Sequence, residues 1–378
     1  MTASDEQPPA PRIALVIFRL QPAGGLEQHA LRLARILASR GAAVTLVTTR
    51  APATPQPEGV RLELIAARGR SNHGRLAAFA ADAAGDVAGR FERTAVFHAA
   101  PGFDMIFCAD PSRAAPEGLR ALLPRYRAYA DLERAALAPE GATRMLTLSS
   151  AQRDAFLANH HVAQGRLTLL PPTVDRLRAA PPPSAADKAA ARASLGLPPD
   201  APVWLWIGLQ PNTKGLDRAL AALAAIPAAR LVVGGLDPRT KAGATMARLG
   251  DRLGVTARVA WLGFASEAAL GRAMAGVDLL VHPSRADVTG TVILEAMANG
   301  LPVVTTAVCG YGEHVAKAGA GIVLPEPYRP EALVEALASA TPETLARWSA
   351  AAAAYAADPA LFSGLDVAAD LILDGLAP

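Results

Sequence analysis

The sequence predicts an α/β protein made of two Rossmann-like domains facing each other across a cleft. Three observations predict it. Short apolar runs of strand length alternate with Ala-rich stretches of helical periodicity along almost the whole chain. A Pro-rich interruption, Pro171-Pro172 and then Pro181-Pro182-Pro183, divides that alternation in two. The chain has 378 residues, 51% of them apolar, which suits two cores rather than one.

The elements follow in order. Residues 1–11 are polar and Pro-rich and are expected to form a disordered tail. Ile13 to Phe18 is a short apolar run closed by a Pro/Gly-rich turn, the pattern of a buried parallel strand. Gly24-Gly25 opens a helix in which Leu26, Ala30, Leu33 and Leu37 recur at helical spacing, and Gly41 ends it. Val44–Thr48 is the next strand and completes a βαβ unit. Further strands are expected at Val60–Ile65, Phe103–Cys108, Met145–Leu148 and Leu167–Leu170. Residues 12–175 thus form a first domain, and 176–200 a linker. The alternation restarts with a strand at Val203–Ile207 and a helix at Leu216–Ile226. Strands at Leu231–Val233, Val259–Leu262, Leu279–His282 and Pro302–Thr305 follow, so 201–355 is the second domain. Residues 356–378 are expected to form a helix that packs back toward the first domain.

Composition excludes several classes of function. The net charge of +3 comes with no Lys/Arg block, which argues against a nucleic-acid partner. The charge is uneven: residues 1–175 hold 20 Lys and Arg against 16 Asp and Glu, and the remainder 17 against 18. An acidic surface partner should therefore prefer the first half. Cys108 and Cys309 lie in apolar surroundings and read as reduced core thiols rather than a disulfide framework. No signal-peptide pattern opens the chain and no apolar run is long enough to span a membrane. A cytoplasmic protein is expected, at most peripheral at the inner face of the cytoplasmic membrane. The G-x-G-x-x-G fingerprint of nicotinamide dehydrogenases is absent.

Chemistry concentrates in the stretch from Asp287 to Val304. An apolar strand ends at His282-Pro283, a polar loop carries Asp287, and Gly290 leads into a helix that carries Glu295 about one turn in. Free amides at a helix start can hold a diphosphate. A carboxylate one turn inward can accept two hydrogen bonds from a ribose diol, and the loop carboxylate can reach hexose hydroxyls. An ordinary exposed helix glutamate is the plainer reading of Glu295, and a capping or solvated loop acid that of Asp287. Lys214 stands in a strand-to-helix loop, where an ammonium can neutralise a departing diphosphate; a solvated surface lysine is the plain alternative. Gly24-Gly25 permits close backbone approach to a ligand, or simply turns the chain. His98 reads equally as a site residue or a satisfied structural histidine, and Asp104 and Asp110 either face a second substrate or cap turns. From Arg113 to Arg134, Leu and Tyr residues alternate with Arg113, Arg120, Arg125, Arg127 and Arg134. Such a segment can lie on an anionic bilayer, or pack on the core as a helix with a charged outer face.

The Asp287–Glu295 stretch resembles the two-acid signature of glycosyltransferase family 4, in which two glutamates are separated by seven residues. The likeness extends through Thr305-Thr306-Ala307-Val308-Cys309-Gly310-Tyr311, a tail similar to that of the lipopolysaccharide core glucosyltransferase I group. Gly24-Gly25-Leu26, Asn72-His73-Gly74-Arg75, Pro101-Gly102-Phe103-Asp104, Arg125-Tyr126-Arg127 and Lys214-Gly215-Leu216-Asp217-Arg218 fit the same group. Each motif is weak alone; the ordered set is specific. The resemblance implies the GT-B fold and hexosyl transfer with retention of anomeric configuration, with neither metal nor cofactor. It implies UDP-glucose as donor and a heptose of the lipopolysaccharide inner core as acceptor, on an anionic membrane surface. The implied catalytic residues are Asp287, Lys214 and Glu295. Gly24, Gly25, Arg218, Thr289, Gly290 and Thr291 join them around the donor. Asn72, His73, Arg75, His98 and Asp104 are the implied acceptor residues, and Arg113, Arg120, Arg125 and Arg127 the membrane-facing ones. The chain departs from the family twice. Its first acid is Asp287 rather than Glu, and Leu209 and Thr213 stand where an arginine often accompanies the phosphate lysine, which leaves Arg285 or Arg218 to compensate. Competing readings are transfer to another polysaccharide acceptor, a protein of this fold that only binds nucleotide, and a nucleotide-sugar epimerase.

Overall fold

A computed structural model of the chain describes residues 9–20, 24–51, 57–114, 123–176, 179–374 and 376. The chain separates into two compact units. One comprises residues up to Thr173 together with the stretch from Ser363, and the other Val174–Phe362.

The first unit holds β1 (Arg12–Val16), α1 (Gly25–Ser39), β2 (Ala43–Thr48), β3 (Val60–Leu64), α2 (Asn72–Val87), β4 (Arg93–Val96) and β5 (Met105–Phe107). It continues with α3 (Pro124–Ala136), β6 (Arg144–Thr147), α4 (Ser150–Asn159) and β7 (Leu167–Leu169). Its strands form one sheet in the order β3-β2-β1-β4-β5-β6-β7, every pair parallel. Strand side chains alternate between faces, and both faces are covered. Ile13 and Leu15 of β1 therefore pack with Leu33 and Leu37 of α1, while Ala14 and Val16 pack with Phe79 of α2 and Phe156 of α4.

The second unit holds α5 (Ala185–Ser194), β8 (Val203–Ile207), α6 (Leu216–Ala225), β9 (Arg230–Gly234), α7 (Lys241–Arg252), β10 (Val259–Gly263) and α8 (Glu267–Gly276). β11 (Leu279–His282), α9 (Thr291–Ala298), β12 (Val303–Thr306), α10 (Gly312–Ala318), β13 (Gly321–Leu324), α11 (Pro330–Ala338) and α12 (Pro342–Ala356) complete it. Its parallel sheet runs β10-β9-β8-β11-β12-β13. Val203 and Leu205 pack toward Ile293 and Met297 of α9; Trp204 and Trp206 face the other way, onto Leu216, Leu220 and Leu223 of α6.

Several expectations are refined. β4 and β13 go beyond the anticipated strands. Both are four residues long, and Arg93-Thr94 and Gly321 dilute their apolar signal. Within 176–200, read as a linker, the chain forms α5, capped by a reciprocal Ser184–Asp187 pair. The buried Arg192 of α5 donates to both oxygens of Asp278 at 2.8 and 2.7 Å, which ties the helix to the start of β11. The stretch 356–378 does not form one helix. α12 ends at Ala356, a short turn occupies Pro359–Phe362, and α13 (Gly364–Leu373) follows. α13 belongs to the first unit, where Leu365, Ala368, Ala369 and Ile372 share the core of α1. Of the tail 1–11, residues 1–8 lie outside the described residues, and 9–11 precede β1 without regular structure. Among the described residues no helix is long and apolar enough to cross a membrane. Both cysteines are free and buried, and burial pushes both thiols up.

Candidate active site

In each sheet the strand order reverses at one place, between β1 and β4 in the first unit and between β8 and β11 in the second. Chains leaving two such strands diverge to opposite sides, which opens a crevice beyond their carboxyl ends where ligands of open α/β sheets bind. Both polar clusters of interest sit at these reversals.

In the second unit, Lys214 lies in the loop after β8 and Asp287 in the loop after β11. Lys214 Nζ is 2.7 Å from Asp287 Oδ2. His282, the last residue of β11 and buried, brings Nε2 to 3.0 Å from the same oxygen. The other oxygen, Oδ1, accepts from the Gly290 amide at 3.0 Å, so the acid also fixes the entrance to α9. Burial pushes the Asp287 carboxyl up, but His282 and Lys214 outweigh it and hold the group down at about 2. Asp287 is therefore ionised and accepts only, so Nε2 is the nitrogen of His282 that carries a proton. Nδ1 of His282 has no partner and is buried.

The loops that carry these groups are tightly held. Trp206 Nε1 donates to the Lys214 carbonyl at 2.9 Å. Gly215 has φ +72°, and a Cβ there would stand 2.0 Å from the Pro283 carbonyl oxygen. Only glycine lets the Lys214 loop lie this close to the loop after β11. Arg218, expected at the donor, donates to the carbonyls of Pro283 and Ser284 at 3.1 and 3.0 Å and stacks on Tyr328 at 3.6 Å. Arg285 forks onto Asp217 at 2.8 and 2.6 Å and donates to the Asn212 carbonyl at 2.7 Å. Both arginines thus brace the two loops. The Cys309-Gly310-Tyr311 motif stitches the acid loop down, with Gly310 N donating to Asp287 O at 3.1 Å and Tyr311 N to Thr289 O at 2.7 Å.

Gly290 (φ +76°) is the N-cap of α9, and Thr291 is its first residue. The first-turn amides of a helix have no partner within it. Glu295 stands one turn further in and is half-buried. Beside this cluster a cavity of about 470 Å³ is lined by Pro211, Asn212, Thr213, Lys241 and Thr245. His282, Asp287 and Cys309 bring a nitrogen, an oxygen and a sulfur within 4.8 Å of one another, a possible metal-ligand set. Burial, reinforced by the Asp287 charge, keeps Cys309 a thiol, and the Lys214 ammonium already stands on Asp287.

In the first unit a cavity of about 270 Å³ opens beyond β1, β4 and β5, lined by Arg19, Glu27, Asn72, His98, Asp110, Arg113, Tyr129 and Glu133. Asn72, the first residue of α2, accepts from Arg19 at 2.6 Å. His98 is buried, and its Nε2 has no partner. Burial lowers its pKa to about 4, so it is a neutral imidazole at pH 7. Gly24 caps α1, whose Leu26 and Glu27 reach this cavity.

The other expected acceptor residues do not line it. His73 Nε2 lies 3.1 Å from Ser71 Oγ, which caps α2, and Arg75, in the first turn of that helix, donates its backbone amide to the Ser71 carbonyl at 2.9 Å. Asp104 accepts from Thr94 N and Oγ1, both at 2.8 Å, at the amino ends of β4 and β5. The cavity lies past the carboxyl ends of those strands, so Asp104 sits at the opposite edge of the sheet. Arg113 lies 5.4 Å from the Tyr129 ring centre and 3.4 Å from Asp110, on the cavity rather than on an outer stripe. Arg125 and Arg127 are exposed on α3; Arg120 lies outside the described residues. His282, Trp206, Glu133 and His160 were not singled out by sequence. His282 alone left a signal there, as a polar residue closing an apolar strand five positions before Asp287.

The chain is 32% identical over 380 residues to a lipopolysaccharide glucosyltransferase, WaaG, of Escherichia coli (strain K12), covering 96% of this chain and 99% of that one. The profile of the family Glycosyl transferases group 1 matches residues 187–355, the span that carries Lys214, Asp287 and Glu295. The chain belongs to the group 1 glycosyl transferases. It is accordingly a glycosyltransferase with the GT-B fold. The crystal structure of WaaG, described as a glycosyltransferase involved in lipopolysaccharide biosynthesis, superposes with a TM-score of 0.86 at 30% identity, over 96% of this chain and all of that one. Anabaena HepE, solved with UDP-glucose, matches with a TM-score of 0.73 at 18% identity over 97% of this chain and 100% of that one, a likeness of fold alone.

Proposed function

We propose that this glycosyltransferase moves a hexose, glucose, from its UDP ester to an inner-core lipopolysaccharide glycolipid, with retention of configuration and without a metal. The observation that carries the reading is the Lys214–Asp287–His282 cluster at the sheet reversal, beside the amino end of α9 and one turn from Glu295. An ionised acid, an adjacent ammonium and first-turn amides suit a sugar diphosphate whose bond to the anomeric carbon is breaking. In this reading Thr289, Gly290 and Thr291 border the diphosphate, and Glu295 accepts from the ribose diol. Asp287 accepts from hexose hydroxyls, and Lys214 moves from Asp287 to the phosphate. As the anomeric C–O bond breaks, its electron pair goes to the β-phosphate oxygen, where Lys214 offsets the new charge. The acceptor oxygen forms the new bond on the same face and gives up its proton to the departing β-phosphate oxygen, which has taken the electron pair. Lys214 supplies the cation that a metal supplies elsewhere, so neither cofactor nor metal is needed.

The acceptor takes the cavity of the first unit, where Arg19, Asn72, His98, Asp110 and Arg113 offer both donors and acceptors above an apolar floor. The relationship to a lipopolysaccharide glucosyltransferase over nearly the whole chain supports the glycolipid. Exposed Arg125 and Arg127 on α3 would face the anionic inner surface of the cytoplasmic membrane. A second reading, a protein that binds nucleotide without transfer, draws on Thr213 at the family's arginine position and on Arg285 being held by Asp217. Release of UDP from UDP-glucose, with and without truncated lipopolysaccharide that ends at the inner core, separates the two. Acceptor-dependent release is expected; binding without release would leave only the second reading.

A further inference from the structure

We propose that Glu133 is a positioning residue that sets acceptor recognition by holding the Cys108–Ala114 loop. This rests on the reading that the first-unit cavity takes the acceptor. Glu133 is on α3, is 2% exposed, and borders the cavity. Its carboxylate accepts four hydrogen bonds: Ser112 Oγ at 2.5 Å, Arg113 N at 2.7 Å, Ala114 N at 3.3 Å and His160 Nε2 at 2.7 Å. A buried carboxylate needs such saturation, and three of the four donors come from one loop. The start of that loop is held from α4, where Gln152 Nε2 donates to the Cys108 and Asp110 carbonyls at 3.0 and 2.8 Å. Between the two anchors the loop presents Asp110 and Arg113 to the cavity. The backbone amide of Arg113 is itself one of the donors to Glu133, so the direction of that guanidinium depends on the carboxylate.

Glutamine is nearly isosteric but has one acceptor oxygen, and its NH2 opposes loop donors. Glu133→Gln is therefore expected to raise the KM for inner-core lipopolysaccharide about 10-fold, with kcat at saturating acceptor and the UDP Kd within about 2-fold of wild type. Ser112→Ala, which removes the bond to Glu133 and the one that Ser112 Oγ accepts from Asn159 Nδ2 without touching the buried charge, should raise the same KM about 3-fold. A purely structural role would instead lower the active fraction, and so kcat, with KM unchanged. That result for folded Glu133→Gln overturns the proposal; if Glu133→Gln does not fold, an unchanged KM in Ser112→Ala overturns it. Asp110→Asn and Arg113→Ala locate the failure. If they raise the acceptor KM while Glu133→Gln and Ser112→Ala do not, the strut alone is wrong. If none of the four moves it, the cavity does not take the acceptor and both readings fall.

Discussion

Asp287 divides its two oxygens between different tasks: one faces Lys214 and His282, the other caps α9 through Gly290. The shorter acid suits this geometry, because a glutamate would carry the carboxylate one methylene further and lose either the ammonium or the cap. Asp287→Glu should therefore change the ranking of UDP-glucose, UDP-galactose, UDP-N-acetylglucosamine and UDP-glucuronate as donors. Equal rates and ranking for all four would mean that Asp287 does not read the sugar. His98 makes a prediction of the opposite kind, about stability. Its folded pKa of about 4 lies below the unfolded value of 6.5, so the unfolded chain binds the proton more readily. The stability it contributes is present above pH 6.5 and is lost as pH falls toward 4, by roughly 3 kcal/mol in all. Melting temperature should fall less steeply over that window in His98→Gln than in the wild type; identical slopes would contradict a neutral buried imidazole.

At the scale of elements, two loops at the carboxyl end of one sheet carry Lys214 and Asp287, and glycine decides how close they come. Gly215→Ala would force a left-handed residue with a Cβ against the Pro283 carbonyl. Strain of about 1–3 kcal/mol is expected, relieved by separating the loops. Thermal unfolding should report the lost stability, and kcat should fall by more than UDP affinity does, because Lys214 precedes the strained residue. A variant with wild-type kcat would show that the spacing of the loops is not needed. Lys214 and Asp287 were legible in the sequence because each lies in a local strand-turn-helix pattern. Glu133, Ser112, His160 and Gln152 were not, because their contacts join residues 21 to 44 positions apart, across the turns of a sheet. The position of Asp104 away from the first-unit cavity is hidden for a related reason. Sequence places the residue next to the right strand, just before β5, but only pairing with Thr94 reveals which end of the sheet it occupies.

The whole molecule repeats one plan, a parallel sheet with a reversal and a polar cluster beyond it, in both units. That much was readable from the alternation of apolar runs and Ala-rich helices. Short strands with polar beginnings, such as β4, were not, since four residues give too little period to recognise. The last helix ties the chain ends of the first unit together: α13 buries Leu365 and Ile372 against α1, and Arg40 donates to Asp366 at 2.8 Å. Deleting residues from Ser363 onward removes apolar burial worth on the order of several kcal/mol from that unit. Calorimetry should then show the first unit melting earlier, with UDP affinity retained; an unchanged melting profile would mean that α13 is dispensable. The reaction itself is tested most directly by acceptor-dependent UDP release from UDP-glucose in excess EDTA, comparing wild type with Lys214→Ala. Full activity of the wild type in EDTA and a fall of about 100-fold or more in kcat for Lys214→Ala are predicted. Loss of wild-type activity in EDTA that manganese restores, or an active Lys214→Ala, would contradict it.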